Sequence, residues 1–290
     1  QYPKGTTNVF SYIESRGHEE EPSFWTDDNI PSTVFFGLQI FIKEYLTKPI
    51  TKEMIDEADT FFSAHGVPFH REGWEHILKV HKGFLPIRIK AVAEGSIVPT
   101  GNVLVTVENT DPLCFWLTSY VETMLLRAVW YPTTVATNSR AIKKVIKKYL
   151  EVTSESSEGL SFKLHDFGAR GVSSLESAAI GGAAHLVNFM GTDTVVGAAA
   201  VMNYYNTDVM PAFSIHASEH STITSWGNDN EEEAYRNMLT NFAKPNSLVA
   251  IVSDSYDLYN AIHNIYGKGL KKEIIDSGAI VVVRPDSGDP

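Results

Sequence analysis

Apolar residues change their spacing several times along the chain, and each change predicts a different element. Residues 8–14 are typical of a short strand, and an acidic connection follows over 19–22. Thr51 is placed to cap a helix whose apolar residues recur at helical spacing until Gly66. A second short helix is predicted over about 71–81.

A period of two replaces the helical spacing over 85–109, with turn residues at 99–102. This alternation predicts a small antiparallel sheet. Two long helices follow, predicted over about 111–130 and about 134–153. Lysines cover the outer face of the second of these helices, which is normal for a solvated surface.

Short apolar strands alternate with helices after a polar linker at 154–159. The strands are predicted over 162–166, 186–189, 212–215, 248–252 and 280–283. The helices are predicted over 173–184, 194–205, 231–242, 256–266 and 270–277. The last two strands are uninterrupted apolar runs, typical of strands buried on both faces of a parallel sheet. The chain is therefore predicted to be an α/β protein, ending in a barrel or a doubly wound sheet.

The composition is that of a globular protein with a substantial core. Of the 290 residues, 43% are hydrophobic and 11% aromatic, enough for one large domain or two medium ones. The net charge of −11 argues against a nucleic-acid partner, yet a few local donors can still hold a phosphate-bearing ligand. The single cysteine, Cys114, excludes an internal disulfide and fits a reducing compartment.

No signal peptide is predicted, because the start of the chain lacks an apolar segment. No membrane span is predicted either. The longest apolar run, 113–131, contains Glu122 and Arg127. Each would cost several kcal/mol at a bilayer centre, so we expect a buried helix there. The chain lacks an initial methionine and ends in a turn, so we expect it to be part of a longer protein.

Polar or aromatic groups follow every predicted strand after residue 160. These groups are Phe167, Gly168 and Arg170; Gly191, Thr192 and Asp193; the segment 216–226; Ser253, Asp254 and Asp257; and Arg284, Asp286 and Ser287. Because the carboxyl ends of parallel strands gather at one face, we expect the groups to converge. The segment 216–226 contains two histidines, a carboxylate and several hydroxyls, typical of a loop or helix start that binds a polar ligand. The alternative is a plain surface turn.

The residue types at these strand ends suit a phosphorylated sugar together with a flat heterocycle. Arg170 and Arg284 offer rigid donor forks for phosphate. The three aspartates Asp254, Asp257 and Asp286 suit Mg²⁺ or ribose hydroxyls. Simpler interpretations remain open: Arg170 as an ion-pair partner of Asp166, Asp254 and Asp257 as helix caps, and 286–288 as an ordinary turn.

A flat ring could stack on Phe167, whose alternative role is a core residue. Asp193 would accept a hydrogen bond from an amide N–H₂ and repel a carboxylate.

Five segments occur in order along the second part of the chain: 164–174, 191–195, 219–224, 253–257 and 284–288. Further segments of the same kind lie at 101–104, 107–112 and 134–140. Together they resemble the nicotinate and nicotinamide phosphoribosyltransferase family, over essentially the whole chain. The resemblance implies a mixed α+β domain over 1–153 and an incomplete phosphoribosyltransferase-type (β/α) barrel over 154–290.

The resemblance also implies an activity. It is phosphoribosyl transfer from phosphoribosyl pyrophosphate to nicotinamide, giving nicotinamide mononucleotide and pyrophosphate in NAD salvage. It further implies Mg²⁺, ATP hydrolysis coupled through a phosphohistidine, a homodimer with active sites at the subunit interface, and a cytoplasmic location.

The resemblance assigns the phosphorylated histidine to His220 and places Glu219 beside it. The residues that it implies for substrate binding are Arg16, Phe167, Arg170, Asp193, Ser214, Ala217, Asp254, Arg284 and Asp286. Asp254 and Asp286 are also assigned to the metal region. Phe167 is implied to stack on nicotinamide, Asp193 to receive its amide, and Arg16 to reach phosphates across the dimer interface.

The chain departs from the family at several points. Members of the family start earlier, with a tyrosine that completes the nicotinamide site, and continue beyond Pro290 through a glycine-rich phosphate-binding segment. We therefore expect little activity from this chain alone. Ala169 and His216 stand where tyrosine and proline are usual, at the edge of the pocket.

Two alternative functions remain. One is a nicotinate phosphoribosyltransferase, against which Asp193 argues because it would face the substrate carboxylate. The other is an inactive truncated or regulatory homologue that keeps the dimer surface.

Overall fold

The computed structural model describes residues 2–16 and 31–289, so the acidic connection predicted over 19–22 lies outside the described residues. Contacts within the chain divide it into two compact units, Gln1–Phe213 and Ser214–Pro290. The domain boundary predicted between 153 and 154 stays a prediction; a long helix ends there, at Thr153.

Antiparallel strands form the sheets at the start of the first unit. They are β1 (Phe10–Glu14), β2 (Ser32–Val34), β3 (Ile87–Ala91), β4 (Ile97–Pro99) and β5 (Val103–Asn109). β5 lies between β1 and β3 and is antiparallel to both, while β2 pairs antiparallel with β4. The predicted antiparallel sheet is confirmed, and Gly101 adopts a positive φ of 77° in the turn between β4 and β5.

The helices of the first unit are α1 (Leu38–Phe41, continued by a π-helix over Ile42–Leu46), α2 (Lys52–His65), α3 (Arg71–Val80), α4 (Leu117–Thr153), α5 (Leu175–His185) and α6 (Val195–Tyr204). The predicted ends of α2 are confirmed. The Thr51 side chain accepts the N–H of Met54, and Gly66 ends the helix in the left-handed region at φ 90°.

The prediction of two long helices was wrong, because α4 is one helix with Pro132 inside it. A proline in a helix removes one hydrogen bond and normally breaks or kinks the helix. Here the turn around it is packed tightly: a Cβ at Gly37 would lie 2.3 Å from Pro132 Cγ and 2.9 Å from the Ala128 carbonyl oxygen. One face of α4 is also buried in the core of the unit, as predicted for 113–131, with Leu117, Val121 and Leu125 nearly inaccessible.

Short parallel strands begin in the last part of the first unit. β6 (His165–Asp166) pairs with β7 (Gly191–Thr192), and Phe213, inside the predicted strand 212–215, forms a single parallel bridge to Gly191. The strand predicted over 186–189 was wrong. Its apolar residues turn into the core after α5, where Phe189 is fully buried and stacks on His185.

Close glycine contact joins α5 to α6. A Cβ at Gly197 would lie 2.7 Å from the Cα of Gly182, so the two helix backbones touch. Likewise, a Cβ at Gly181 would lie 2.6 Å from the hydroxyl of Tyr131. The Gly181–Gly182 pair therefore serves helix packing.

The second unit is a three-stranded parallel sheet with helices. β8 (His216–Ala217), β9 (Leu248–Val252) and β10 (Ile280–Arg284) follow the order β10-β9-β8. Its helices are α7 (His220–Thr224), α8 (Glu231–Phe242), α9 (Leu258–Asn260, continued by a π-helix over Ala261–Gly269) and α10 (Lys271–Ser277). The strands pair in parallel, so the predicted parallel sheet is confirmed. Burial on both faces is confirmed for β9, whose Val249 and Ile251 are fully buried, but was wrong for β10, which is only partly buried and begins at the exposed Ile280.

Within the described residues, no helix combines the length and the apolar character that a membrane span requires.

Candidate active site

Three of the five polar strand ends that were expected to converge do so within the second unit. His220 begins α7 just after β8, Asp254 follows β9, and Asp286 follows β10. His220 Nε2 lies 3.0 Å from Asp254 Oδ1, and His220 Nδ1 lies 3.6 Å from Asp286 Oδ2. The imidazole thus lies between two carboxylates while 39% of its side chain remains exposed.

Asp254 ties the ends of β9 and β10 together. Its Oδ2 accepts the backbone N–H groups of Asp286 and Ser287, both at 2.7 Å, and the Ser287 hydroxyl at 2.8 Å. Burial raises the pKa of the Asp254 carboxyl, but these hydrogen bonds and the one from His220 outweigh burial and hold it well below its usual range. Asp254 is therefore ionised at neutral pH and is not a helix cap. Asp257 is one, since it accepts the N–H of Asn260.

Arg284 fixes the turn from the other side. Its Nη1 donates to Asp286 Oδ1 at 2.9 Å, and its Nη2 donates to the Ser218 carbonyl at 2.7 Å. The Ser218 hydroxyl in turn accepts the N–H of Val252. The segment 286–288 is thus a turn, but one that is bonded to both neighbouring strand ends.

Glu219 precedes His220 and starts α7. Its backbone N–H donates to the Thr222 hydroxyl at 3.2 Å, and its carboxylate accepts the Ser221 hydroxyl at 2.5 Å. The predicted helix start is confirmed, and this capping fixes where His220 leaves the backbone.

Buried hydroxyls lie beneath this cluster. The Ser253 hydroxyl donates to the Ile251 carbonyl at 2.8 Å and lies 2.9 Å from the Tyr266 hydroxyl. Tyr266 stacks on Tyr235 at 5.0 Å between ring centroids. Sequence reasoning gave Ser218, Ser253 and Ser287 no role, although all three lie in the polar segments that it singled out.

A cavity of about 220 Å³ lies within the first unit, lined by residues that include Tyr131, His165, Phe167 and His185. Phe167 is 55% exposed, which excludes the core interpretation. Its ring centroid lies 4.5 Å from that of His165, at an interplanar angle of 36°. A flat, accessible aromatic surface therefore borders the cavity.

Asp193 approaches the same group of residues. Its Oδ1 lies 3.3 Å from His165 Nε2, and its backbone N–H donates to the Asp166 carbonyl at 2.9 Å. Burial lowers the pKa of His185, whose Nε2 lies 3.0 Å from the Gly191 carbonyl. His165 and His185 were not predicted: His165 opens β6, and His185 ends α5 and contacts the Gly191 carbonyl of β7.

Arg170 is exposed in a short 3-10 helix over Gly168–Gly171. The Asp166 carboxylate accepts the N–H of Gly168 at 2.7 Å, and no ion pair joins it to Arg170 in the described part of the chain.

The remaining predicted residues occupy exposed positions. Arg16 lies just after β1, Ser214 opens the second unit, and Ala217 belongs to β8. The neighbouring His216 stacks on Phe242, with 4.4 Å between ring centroids. His220 contacts Asp254 instead.

Comparison with known proteins shows which protein family the sequence resembles. Residues 162–290 match the model of the nicotinate phosphoribosyltransferase (NAPRTase) family, and residues 1–89 match the N-terminal domain of nicotinamide phosphoribosyltransferase. A nicotinamide phosphoribosyltransferase of Xanthomonas campestris pv. campestris (strain 8004) is 55% identical over 291 residues, covering 100% of this chain and 60% of that protein. The chain is similar over its whole length to members of the nicotinate/nicotinamide phosphoribosyltransferase family.

Other members of the nicotinate/nicotinamide phosphoribosyltransferase family agree. A nicotinamide phosphoribosyltransferase of Acinetobacter baylyi (strain ATCC 33305 / BD413 / ADP1) is 34% identical over 305 residues, covering 100% of this chain and 59% of that protein. The crystal structure of human nicotinic acid phosphoribosyltransferase superposes with a TM-score of 0.61 at 16% identity, covering 98% of this chain and 58% of that one. This likeness confirms the predicted α/β phosphoribosyltransferase fold. The chain spans about 60% of the length of the curated relatives that it matches.

Proposed function

We propose that the protein of which this chain forms part transfers a phosphoribosyl group from phosphoribosyl pyrophosphate to nicotinamide, in NAD salvage. Nicotinamide mononucleotide and pyrophosphate are the products. The observation that supports this most is His220 held between Asp254 and Asp286, at the carboxyl ends of three parallel strands. The relatives named nicotinamide phosphoribosyltransferase support the choice of substrate.

His220 is the proposed carrier of a phosphoryl group from ATP. With Nε2–H donated to Asp254, the lone pair is on Nδ1, the nitrogen that faces Asp286. In the proposed step, Nδ1 attacks the γ-phosphorus of ATP, the N–P bond forms, and the bond to the bridging oxygen breaks as ADP leaves with the electron pair. Water then hydrolyses the phosphohistidine, which couples ATP hydrolysis to turnover. Glu219 contributes by capping the helix that presents His220.

Mg²⁺ is the proposed cofactor. Asp254 is committed to four hydrogen bonds, whereas the Asp286 side chain is 43% exposed and is paired through Oδ1 with Arg284 and loosely with His220. Asp286 would therefore hold the ion directly, and Asp254 would fix its position. Such a hard oxygen site suits Mg²⁺, which keeps several water ligands. When bound, the ion would neutralise charge on phosphates.

Nicotinamide is proposed to stack on Phe167 and to donate its amide N–H₂ to Asp193. The exposed ring of Phe167 beside His165 supports the stacking role. A carboxylate at Asp193 disfavours nicotinate through charge repulsion, so the substrate with the amide is preferred. Arg170, Arg284, Ser214 and Ala217 complete the proposed substrate contacts.

The proposed assembly is a cytoplasmic homodimer, with Arg16 of one subunit reaching phosphates bound to the other. Its active sites would lie at the subunit interface. The burial of Cys114, the one cysteine of this chain, is compatible with a reducing compartment.

The test uses the full-length protein with nicotinamide or nicotinate, each with and without ATP. We expect nicotinamide to be turned over faster, and ATP to stimulate the reaction in wild type but not in His220→Ala. His216→Ala is the matched control, since this ring stacks on Phe242 and should leave ATP stimulation intact. Faster turnover of nicotinate would refute the substrate, and full ATP stimulation of His220→Ala would refute the phosphohistidine.

A further inference from the structure

A second cluster of metal-binding side chains lies in the first unit. His76, His81, Asp111 and Cys114 place one ligand atom each within 4.8 Å of all the others. His76 belongs to α3, and His81 is the residue that ends it. Asp111 and Cys114 begin and end a single turn of 3-10 helix after β5. None of these four residues takes part in the proposed phosphoribosyl transfer.

The turn presents its two ligands together without any rearrangement of the backbone. The Cys114 N–H donates to the Asp111 carbonyl at 2.9 Å, and the Leu113 N–H donates to Asp111 Oδ1 at 2.9 Å. Residues three apart in a 3-10 turn lie on the same side of it, so the carboxylate and the thiol face one region. Cys114 is fully buried in the same core cluster as Ile77 of α3, which joins the two elements.

Both imidazoles converge on one oxygen. His76 Nε2 and His81 Nε2 each lie 2.7 Å from Asp111 Oδ2. The hydrogen bond from His81, followed by the one from His76, holds the pKa of the Asp111 carboxyl well below its usual range. Asp111 Oδ2 is thus the point at which the two imidazoles meet.

The donor set decides which metal fits. Two imidazole nitrogens, a thiol sulfur and one carboxylate form a four-ligand group of the kind that binds Zn²⁺. Mg²⁺ and Ca²⁺ require oxygen ligands, of which this cluster offers few. Zn²⁺ with the Asp111 carboxylate and a Cys114 thiolate is neutral overall, which suits a site that is mostly shielded from water.

We propose that His76, His81, Asp111 and Cys114 bind one structural Zn²⁺ ion that fastens the end of α3 to the turn after β5. On binding, the Cys114 S–H bond breaks, a Zn–S bond forms, and the proton passes to solvent. Each imidazole binds through Nε2 and keeps its ring proton on Nδ1. Ligand atoms of a tetrahedral zinc site lie about 3.3–3.6 Å apart, so the two N···O distances must open by somewhat less than 1 Å.

The site has room for this change because its outer ligands are partly exposed. The side chains of His76 and His81 are 25% and 28% exposed, and that of Asp111 is 15% exposed.

The experiment uses the full-length protein after a chelator has removed its metals, with Co²⁺ as the spectroscopic probe and Zn²⁺ as the competitor. We expect the thiolate-to-cobalt charge-transfer band and the d–d bands of tetrahedral Co²⁺, both lost when Zn²⁺ is added. The band must also disappear in Cys114→Ala, because sequence beyond this chain can contain other cysteines. Zn²⁺ should raise the melting temperature of the wild-type protein.

Glutamine variants separate a metal site from a simple hydrogen-bonded cluster. His76→Gln and His81→Gln keep an N–H donor for Asp111 but lose the imidazole ligand. We expect each to weaken Zn²⁺ binding by at least about tenfold, since even outer partners of metal ligands contribute about 10–100-fold, with little change in the melting temperature of the metal-free protein. His65→Gln, an exposed histidine of α2, is the control. No cobalt–thiolate band in wild type, or equal zinc affinity for the His76→Gln and His65→Gln variants, would overturn the proposal.

Discussion

Single residues set the geometry of the candidate active site. Asp254 accepts more of the site's hydrogen bonds than its neighbours do. It receives four hydrogen bonds, from His220 and from the turn that follows β10. One oxygen orients the imidazole, while the other holds the two segments at the ends of β9 and β10. A carboxylate with this many donors is a positioning group, and it leaves the opposite nitrogen of His220, the proposed nucleophile, facing Asp286.

Asp254→Asn in the full-length protein should lower the free energy of unfolding at neutral pH by about 1–3 kcal/mol, because charged hydrogen bonds are lost. The folded-state pKa of Asp254 lies below its unfolded value, so its contribution is present above about pH 4 and is lost as pH falls below that. The variant should therefore be less sensitive to acid over this range.

Urea denaturation of both proteins at a series of pH values from neutral to acid measures this. Ser255→Ala is a matched control, since it changes a neighbouring residue that has no bond to the cluster in the described structure. Identical acid dependence in wild type and Asp254→Asn would contradict the assignment.

The sequence could indicate which polar segments follow strands, but not the contacts that their residues make. The segment 216–226 and Asp286 were chosen because each follows a predicted strand, and the family resemblance selected His220 within that segment. The bonds from Asp254 to the Ser287 hydroxyl and to His220 join residues 33 and 34 positions apart. No local pattern encodes such a distance, because it depends on the order and register of the strands.

Elements were predictable where their signals are local. The cap at Thr51 and the glycine at Gly66 determine α2, and the apolar runs determine β9 and β10. Prediction failed where packing overrides a local signal. Pro132 should have broken α4, but the buried face of the helix and the close fit of Gly37 keep it continuous.

The contact between α5 and α6 allows a test at this scale. Gly197→Ala should lower the free energy of unfolding by about 1–3 kcal/mol, because the new methyl group would lie 2.7 Å from the backbone of Gly182. Denaturation by urea measures it. Gly171→Ala, where a Cβ would meet no atom within 4 Å, should change stability little. Equal effects of the two variants would show that α5 and α6 adjust without cost.

At the scale of the whole molecule, the two units contain different parts of the proposed chemistry. Phe167 and Asp193 belong to the first unit, and His220, Asp254 and Asp286 belong to the second. The chain spans about 60% of its curated relatives, so the proposed activity is that of the longer protein.

Subunit mixing tests the proposed dimer in the full-length protein. Arg16→Ala and His220→Ala should each lack ATP-stimulated turnover when expressed alone. If Arg16 acts on the partner's site, co-expression should restore about a quarter of the wild-type ATP-stimulated activity, because half of random dimers are mixed and each has one intact site. Turnover of the co-purified mixture is the measurement. No recovery, in a preparation shown to contain mixed dimers, would place Arg16 in its own subunit's site or outside it.

The bonds that Asp254 makes to residues 286 and 287 have a consequence for how the protein is made. A growing chain exposes Asp254 before the residues that satisfy its carboxylate have been synthesised, and β10 comes last of the three strands. Until then His220 lacks its second carboxylate neighbour, Asp286. The complete cluster is therefore absent from the nascent chain and can form only after β10 has been synthesised and has paired with β9.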